Sequence, residues 1–530
     1  MPSAPEAFVL AIDLGTSSCK VDLISEHGEV AGREAEPVPL RLVEGGGAEQ
    51  DPESWWGAIV RSARRLIDRR PVPVDSIVAV CAAAHGLGTV PVDAAGQPLA
   101  PAMIWLDARG SAHAQRAVGG FPSIDGYQLP KLLRWIRLTG GAPSLSGKDP
   151  FGHMLFLKRE RPEIYRSTHR FLDVIGYLDF RLTGRVIATW DTAAFTWLTD
   201  NRNPRDIHYD PGLARLSGLD LKQQPQLVPC TEVLGALLPE VADVLGLRRD
   251  VRVVAGCFDL PAVALGSGAV EDYAAHLSVA TSSFMTVHLP FKKTDVAHAM
   301  ASMPCALPDR YLLMAEQEIA GGCLTFLRDQ VLFPVDPLGE TPAPEDFFPR
   351  LNRLAESAPP GSGGVVFLPW LYGERAPVDD PALRGMFFNL SMGSTRADLV
   401  RSVLEGVAFN TRWILGPVER FCGRRIDSIR IAGGGAQSDL WCQIFADVLG
   451  RTILQTEGPA HATARGAAFI AWMGLKRLQP EDIPRLVRIR RAYEPDPSAQ
   501  RVYESRYGTF LELYRRTRGI FHKANEGLSS

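Results

Sequence analysis

The chain has 530 residues, more than a single hydrophobic core of ordinary size holds, so at least two domains are expected. A composition of 46% hydrophobic and 22% charged residues excludes a disordered chain, a collagen and a coiled coil. The 57 lysines and arginines against 60 aspartates and glutamates give a net charge of −3, which argues against nucleic acid or an acidic membrane surface as the partner and favours a small molecule.

The first predicted element is a β-hairpin near the amino terminus. Residues 8–12 read as an apolar strand, Thr16, Ser17 and Ser18 form a tight turn of small hydroxyl-bearing residues, and residues 20–24 read as the returning strand. The turn places hydroxyl groups at the tip of the hairpin.

Targeting and redox features are absent from the sequence. The amino terminus has no basic segment followed by a long apolar run, and the longest apolar run, residues 77–84, is far too short to span a bilayer. The eight cysteines form no C-x-x-C pair, so their spacing predicts neither a zinc site nor a disulfide framework. We expect a cytoplasmic protein with ordinary buried thiols.

Three amphipathic helices are predicted from their caps and periodicity. Asp51 and Pro52 begin the first, which ends near Arg70; its apolar face holds Trp55, Ile59, Ala63 and Leu66. Thr395 with Asp398 approximates a capping box for the second, and the third runs from Ser438 to Gly450. Predicted strands at 77–82, 252–255, 365–368 and 428–432 alternate with the helices, which indicates an α/β fold.

The hydroxyl-bearing turn recurs in the second half of the chain. Thr281, Ser282 and Ser283 follow a predicted strand at 275–279 and precede another at 284–289, so the two turns are 265 residues apart. Two matching hairpins, one in each half, indicate a duplicated domain with a cleft between the copies. The alternative is that Thr-Ser-Ser recurs by chance, and the matching strands on either side argue against it.

The residues of the first hairpin suit phosphate binding. Asp13 ends the strand, Gly15, Thr16 and Ser17 form the turn, and Lys20 follows. Amide and hydroxyl donors can hold phosphate oxygens, a cation can neutralise their charge, and a carboxylate can hold Mg²⁺ through water. The alternative is a plain β-turn whose polar groups satisfy one another. With Thr281 and Ser282 opposite, two turns could hold both ends of a triphosphate.

A second polar group follows the predicted strand at 77–82. His85, Asp107 and Arg109 could hydrogen-bond the hydroxyls of a sugar, and Trp105 could supply an apolar wall. The competing interpretations are a buried structural imidazole for His85 and a surface ion pair for Asp107 with Arg109.

Asp259 lies just beyond the predicted strand at 252–255 and shortly before the second hairpin. A carboxylate at the end of a strand in a cleft is well placed to accept a proton from an alcohol that attacks phosphorus. A helix cap is the more common role for an aspartate at such a position, and the neighbouring hairpin favours the catalytic role.

A glycine run, Gly433 to Gly435, lies between a predicted strand and the helix that Ser438 begins. Without side chains, this turn lets a flat ligand or a ribose approach the backbone, although glycine runs also serve as simple turns. Gly434, Gly435, Ala436 and Ser438 are the candidates for that contact. No G-x-x-x-x-G-K-[ST] and no complete G-x-G-x-x-G motif occurs, which argues against a P-loop, a dinucleotide fold and hence a sugar dehydrogenase.

Taken in order, the motifs resemble those of the FGGY carbohydrate kinases, which belong to the actin-like ATPase superfamily. The resemblance covers nearly the whole chain and rests on IDLGTSS at 12–18, HGL at 85–87, WLDAR at 105–109, GCFD at 256–259, FLPWLYGERAP at 367–377, RGMFF at 384–388, LEGVAF at 404–409, GGGAQSDLW at 433–441 and ADVLG at 446–450.

This resemblance implies two actin-like, ribonuclease H-like α/β domains with ATP and Mg²⁺ in the interdomain cleft. It implies transfer of the γ-phosphoryl group to a hydroxyl of a ketose, a pentulose such as xylulose, or a polyol. Residues 1–260 and 261–490 would form the two domains, and residues 491–530 a helical tail. The resemblance implies that Asp259 is the general base and that Asp13 holds magnesium through water. The implied phosphate contacts are Gly15, Thr16, Ser17, Lys20, Thr281 and Ser282, and the implied adenosine contacts are Gly434, Gly435, Ala436 and Ser438. The implied sugar contacts are His85, Trp105, Asp107, Arg109 and Asp259.

Two residues depart from the family pattern. Leu260 stands where family members usually carry Asn or Gln after the catalytic aspartate, which removes one expected hydrogen bond to the sugar. Ala280 stands where a glycine usually precedes the threonine of the second hairpin. These departures motivate the alternative of a non-catalytic sensor that binds sugar or nucleotide. The sequence leaves open the sugar, the hydroxyl that is phosphorylated and whether the protein forms a homodimer.

Overall fold

A computed structural model describes residues 6–334, 336, 339 and 342–525 of the chain. In the first half, short polar and glycine-containing turns separate 17 strands and ten helices. The strands are β1 (Phe8–Leu14), β2 (Ser18–Ser25), β3 (Val30–Pro37), β4 (Arg41–Val43), β5 (Gly47–Gln50), β6 (Ile77–Ala84), β7 (Val90–Val92), β8 (Ala102–Met103), β9 (Ser123–Ile124), β10 (Tyr127–Gln128), β11 (Arg170–Leu172), β12 (Ile187–Thr189), β13 (Thr199–Asp200), β14 (His208–Tyr209), β15 (Gln226–Val228), β16 (Val233–Ala236) and β17 (Arg252–Phe258). The helices are α1 (Pro52–Asp68), α2 (Ser111–Val118), α3 (Leu129–Thr139), α4 (Pro150–Glu160), α5 (Pro162–Ser167), α6 (Val174–Thr183), α7 (Trp190–Ala193), α8 (Pro211–Ser217), α9 (Pro239–Leu245) and α10 (Asp259–Gly266).

The second half is built from fewer and longer elements. Its strands are β18 (Ala275–Val279), β19 (Ser283–Leu289), β20 (Thr294–Asp295), β21 (Met300–Pro304), β22 (Tyr311–Gln317), β23 (Val366–Leu368), β24 (Met386–Phe388), β25 (Ser428–Ala432), β26 (Thr452–Thr456) and β27 (Ile489–Tyr493). Its helices are α11 (Gly321–Phe326), continued by a π-helical segment (Leu327–Leu332), α12 (Phe347–Glu356), α13 (Arg396–Cys422), α14 (Asp439–Leu449), α15 (Ala462–Gly474), α16 (Ile483–Leu486) and α17 (Pro497–Ala524).

The two large sheets repeat one topology. Their strand orders are β16-β17-β6-β1-β2-β3 and β20-β21-β22-β19-β18-β25-β26-β27. In the first, β1, β2 and β3 are antiparallel neighbours, and β6 and β17 continue the sheet parallel to β1. In the second, β18, β19 and β22 are antiparallel, and β25 and β26 run parallel to β18. The predicted duplication and both predicted hairpins are therefore confirmed.

The helix boundaries follow local capping chemistry. The Asp51 side chain accepts a hydrogen bond from Glu53 at the start of α1, Thr395 and Asp398 form a reciprocal capping box for α13, and Gly450 ends α14 in the left-handed conformation. The predicted apolar face of α1 is buried against the first sheet.

The helices α10 and α15 lie between the two sheets. Side chains from β1 and β6, from β21 and β22 and from α15 share one hydrophobic core, whose members include Val9, Cys81, Leu312, Met314 and Phe469. This core joins the halves of the chain, because α15 belongs to the second half yet covers one face of the first sheet.

Two glycines allow α10 and α15 to approach each other closely. A Cβ atom on Gly266 would lie 1.7 Å from the Ala462 carbonyl oxygen, and one on Gly466 would lie 1.8 Å from the Ala262 carbonyl oxygen. The backbones are therefore in direct contact, with no room for a side chain at either position.

The carboxyl-terminal region does not form a separate unit. Strand β27 extends the second sheet, and α17, which begins at Pro497, buries Tyr503 and Phe510 in the core of the second half. Residues 526–530 of the expected tail lie outside the described residues. All eight cysteines are free and buried, as expected. Within the described ranges, no helix combines the length and apolarity needed to cross a bilayer.

Candidate active site

A backbone hydrogen bond closes the tip of each hairpin, across a four-residue turn in the first and a three-residue turn in the second. The Gly15 N–H donates to the Ser18 carbonyl oxygen at 2.9 Å, and the Ala280 N–H donates to the Ser282 carbonyl oxygen at 2.9 Å. Thr281 is exposed and Ser282 is half-buried; neither hydroxyl, nor that of exposed Ser17, has a hydrogen-bond partner among the described residues. These hydroxyls are free to bind a ligand.

The first hairpin pairs a carboxylate with a cation. Asp13 and Lys20 are directly opposite in the β1–β2 ladder, so their side chains share one face of the sheet. The Lys20 Nζ atom donates to Asp13 Oδ2 at 3.2 Å, and the lysine side chain is 33% exposed. The Trp105 indole N–H donates to the Thr16 hydroxyl at 2.9 Å, which joins the hairpin to the WLDAR segment.

Asp259 is the first residue of α10 and is half-buried. Burial raises the pKa of its carboxyl to about 7, and the negative charges of Asp13 and Glu316 contribute to the increase. Asp13 belongs to the first hairpin and Glu316 to β22, beside the second hairpin. Carboxylates from both halves of the chain therefore act electrostatically on Asp259.

Glu316 is held by an arginine that sequence reasoning did not assign to the site. Arg375 donates to Glu316 and, at 3.0 Å, to Glu318 Oε1. Its neighbour Glu374 accepts the backbone N–H groups of Arg375 and Glu318, at 2.9 and 3.1 Å, and burial raises the pKa of this carboxyl to about 7. The GERAP segment, which contains Glu374 and Arg375, is one of the family motifs in the sequence. Nothing in that motif indicated that these residues bond Glu316 and Glu318.

On the side of the predicted sugar contacts, His85 is 3% exposed. Neither of its ring nitrogens has a hydrogen-bond partner within the described part of the chain, and burial lowers the pKa of the imidazole to about 4. The ring packs edge-on against Trp55, with centroids 5.8 Å apart. His85 is therefore a neutral imidazole with unused hydrogen-bonding capacity.

The hydrogen-bonding groups of the Asp107 and Arg109 side chains are largely used in contacts with each other. Asp107 is fully buried and its Oδ2 accepts the Ala48 N–H at 3.0 Å and the Arg109 guanidinium at 2.6 Å, while Arg109 also donates to Glu49 at 2.7 Å. The pair is thus an internal ion pair rather than a surface one, and most of its hydrogen-bonding groups are satisfied within the protein.

The glycine run divides into an accessible and a buried part. Gly434 is exposed and a Cβ atom there would have nothing within 4 Å. Ala436 is completely buried, and the Ser438 hydroxyl caps α14 and donates to Asn352 at 2.9 Å. Gly434 and Gly435 are the accessible candidates for the expected adenosine contact, because Ala436 lies beneath the loop and the Ser438 hydroxyl is occupied; the contact itself stays a prediction.

Leu260 is half-buried and packs against the core between the two sheets, which also contacts Phe195 and Trp197. No group of three or more histidine, cysteine, aspartate or glutamate side chains that could hold a metal ion by itself occurs among the described residues.

Comparison with known proteins agrees with these features. Residues 8–266 match the profile of the FGGY family of carbohydrate kinases, N-terminal domain, and residues 275–475 match the C-terminal domain of the same family. The chain is 31% identical to the xylulose kinase of Escherichia coli (strain K12) over 96% of this chain and 98% of that protein, and 24% identical to the gluconokinase of Bacillus subtilis (strain 168) over 96% of each. The crystal structure of a ligand-bound xylulose kinase from Lactobacillus acidophilus has the same fold, with a TM-score of 0.84, 22% identity and coverage of 98% of this chain and 99% of that one.

Proposed function

The chain belongs to the FGGY family of carbohydrate kinases, and from this premise we propose that it transfers the γ-phosphoryl group of ATP to a hydroxyl of a ketose such as xylulose. The observation that carries the proposal is the environment of Asp259 at the start of α10, where burial and the negative charges of Asp13 in the first hairpin and Glu316 beside the second raise its pKa to about 7. A general base is most effective when its pKa is near the working pH.

The residues of the two hairpins fit Mg²⁺-ATP. The hydroxyls of Ser17, Thr281 and Ser282 lack partners in the described structure, and the charge of Lys20 would neutralise phosphate oxygens. Asp13, which uses only one oxygen in its contact with Lys20, would hold Mg²⁺ through water. The bound nucleotide would supply the phosphoryl group, and its metal would reduce the repulsion between phosphate oxygens and the attacking hydroxyl.

The remaining chemistry belongs to Asp259 and His85. The acceptor hydroxyl would form a bond to the γ-phosphorus as its proton passes to the Asp259 carboxylate, and ADP would leave with the bridging oxygen. His85 would orient the sugar through a ring nitrogen that has no hydrogen-bond partner among the described residues. Closure of the two halves would exclude water, which otherwise competes as the acceptor.

The negative charges that act on Asp259 and the apolar side chain of Leu260 both bear on the class of sugar that the protein would accept. The relatives include enzymes named for xylulose and for gluconate, so both are candidate acceptors for this chain. The carboxylates near Asp259 disfavour an acidic sugar because like charges repel at short range, which favours the neutral ketose. Leu260 cannot hydrogen-bond a sugar hydroxyl, so we expect weaker discrimination among ketoses and polyols at that position.

The test is an ADP-release assay with Mg²⁺-ATP and a panel of ketopentoses, ketotetroses, ketohexoses, polyols and gluconate. We expect sugar-dependent ADP release with a neutral ketose or polyol and its loss in Asp259→Asn. Binding of a sugar without ADP release would support the non-catalytic sensor instead. Equal rates for the wild-type protein and Asp259→Asn would remove Asp259 from the role of base.

A further inference from the structure

Asp191, which lies in the short helix α7, connects to the backbone that carries Asp259. It is fully buried, and its Oδ2 accepts the Phe258 N–H at 2.9 Å. Its Oδ1 accepts the Thr189 hydroxyl at 2.5 Å and the Cys230 thiol at 3.3 Å. Phe258 is the last residue of β17 and directly precedes Asp259.

The strand β17 needs such a partner because its regular pairing breaks before it ends. Gly256 has a φ of +79°, and a Cβ atom there would lie 2.0 Å from the Ala82 carbonyl oxygen. The ladder with β6 shifts register between Val254 and Cys257, and Val254 is the last residue of β17 that pairs with β16. The Gly256 N–H still donates to the Cys230 carbonyl oxygen at 3.0 Å. Two residues later, the Asp191 carboxylate accepts the Phe258 N–H in place of a carbonyl oxygen of a neighbouring strand.

The same segment also contacts the Phe258 side chain. Phe195, four residues after Asp191, packs edge-on against the Phe258 ring with centroids 5.5 Å apart. Phe258 is therefore held at its backbone by Asp191 and at its ring by Phe195. Because Phe258 and Asp259 share a peptide bond, these contacts also determine where α10 begins.

We propose that Asp191 is a positioning residue for phosphoryl transfer: it binds the Phe258 N–H and thereby fixes the first turn of α10, so that Asp259 is held toward the acceptor hydroxyl. This inference rests on the proposed function, in which Asp259 is the base. A displacement of about 1 Å at a reacting group can cost about 10²-fold in rate, so one backbone hydrogen bond at this point has a large effect.

Substitutions of Asp191 can distinguish an effect of positioning from an effect of its negative charge. A neutral amide at position 191 retains an oxygen that can accept the Phe258 N–H, and its amino group can donate to the Thr189 hydroxyl. Asp191→Asn therefore keeps the contact and loses the charge, whereas Asp191→Ala loses both. Asp173 supplies a control, because it is a half-buried carboxylate near α7 that bonds the Gly176 N–H and the Thr192 hydroxyl, and none of its hydrogen bonds reaches β17.

The first experiment compares steady-state kinetics of the wild type, Asp191→Ala, Asp191→Asn and Asp173→Ala with the best acceptor from the sugar panel. We expect Asp191→Ala to lower kcat by about 10²-fold with the KM for ATP changed by less than about threefold. Asp191→Asn and Asp173→Ala should each retain kcat within about fivefold. Failure of Asp191→Asn to restore kcat, or an equal loss in Asp173→Ala, would overturn the positioning role.

The second experiment does not depend on turnover, so it distinguishes failure of this inference from failure of the proposed function. Amide hydrogen exchange of the peptide containing Phe258 should accelerate at least tenfold in Asp191→Ala and stay near the wild-type rate in Asp191→Asn. Unchanged exchange in Asp191→Ala would refute the contact even if the protein proved inactive on every sugar. If Asp191→Ala does not fold, Thr189→Val removes one hydrogen bond that orients Asp191; we expect faster exchange there, and no change would count against the inference.

Discussion

Replacing Asp259 by asparagine should make the protein inactive and, above about pH 7, more stable. The substitution preserves the size of the side chain and removes its charge. In the folded protein, burial together with Asp13 and Glu316 raises the pKa of Asp259 from 3.8 to about 7. The ionised carboxylate is therefore disfavoured in the folded state relative to the unfolded chain, where its pKa is ordinary.

The size of this effect follows from the pKa difference. Three pKa units correspond to about 4 kcal/mol, and partial exposure of Asp259 reduces the expected value to about 2–4 kcal/mol. Below about pH 4 the group is protonated in both states and contributes nothing. Between about pH 4 and 7 the folded state keeps a proton that the unfolded state has lost, so stability falls as pH rises. Above pH 7 the folded wild type bears the full free-energy cost of burying the ionised Asp259 carboxylate. The Asp259→Asn protein has no charge at this position and therefore lacks this cost.

The assay is urea unfolding followed by tryptophan fluorescence at pH 5, 6, 7 and 8 for the wild type and Asp259→Asn. Other buried carboxyls, such as Glu374 with its pKa near 7, contribute equally to both proteins and cancel in the difference. The stability advantage of Asp259→Asn should grow from pH 5 to pH 7 and then level off. A difference that stays constant over this range would refute the argument. In the active wild type, kcat/KM should fall as pH drops below about 7, because the base becomes protonated.

Three further predictions concern other parts of the molecule. Lys20→Met should raise the KM for ATP about tenfold in steady-state assays, because a cation facing the phosphates is lost; an unchanged KM would exclude this contact. Gly466→Ala should lower the free energy of unfolding by about 3 kcal/mol because its Cβ would clash with the facing helix, whereas Gly508→Ala, with open space around it, should raise it by about 0.5–1 kcal/mol; similar midpoints in thermal unfolding would contradict the difference. Arg401→Met should destabilise by about 3–5 kcal/mol because it leaves Glu405 buried without its cation, and a midpoint close to wild type would show that the pair is dispensable.

Features with local causes were predictable from the sequence. Each hairpin is specified by apolar strands around a turn of small residues, so both were identified, although the second strand of each begins earlier than expected, at Ser18 and Ser283. The capping residues Thr395 and Ser438 marked helix starts because a cap and the helix it begins are adjacent in the chain.

Features that depend on distant contacts were not predictable in the same way. Arg375 and Glu316 are 59 residues apart, and Asp191 and Phe258 are 67 residues apart, so no periodicity or motif spacing links them. Residues that are adjacent in the chain can also differ in a way that the sequence does not show. Ala436 is completely buried, whereas the neighbouring residues of the glycine run are accessible. The sequence does not reveal which side of a turn faces the ligand.

The packing of α15 on the sheet of the other half has a consequence for how this architecture arose. Expressed alone, the first half would expose to water the sheet face that contains Val9, Ala11 and Cys81. An ancestral protein corresponding to the first half would have exposed the same sheet face, and a helix from a second molecule would have been needed to cover it. Fusion of two such molecules into one polypeptide would have made that contact intramolecular, as the packing of α15 on the first sheet is in the present chain.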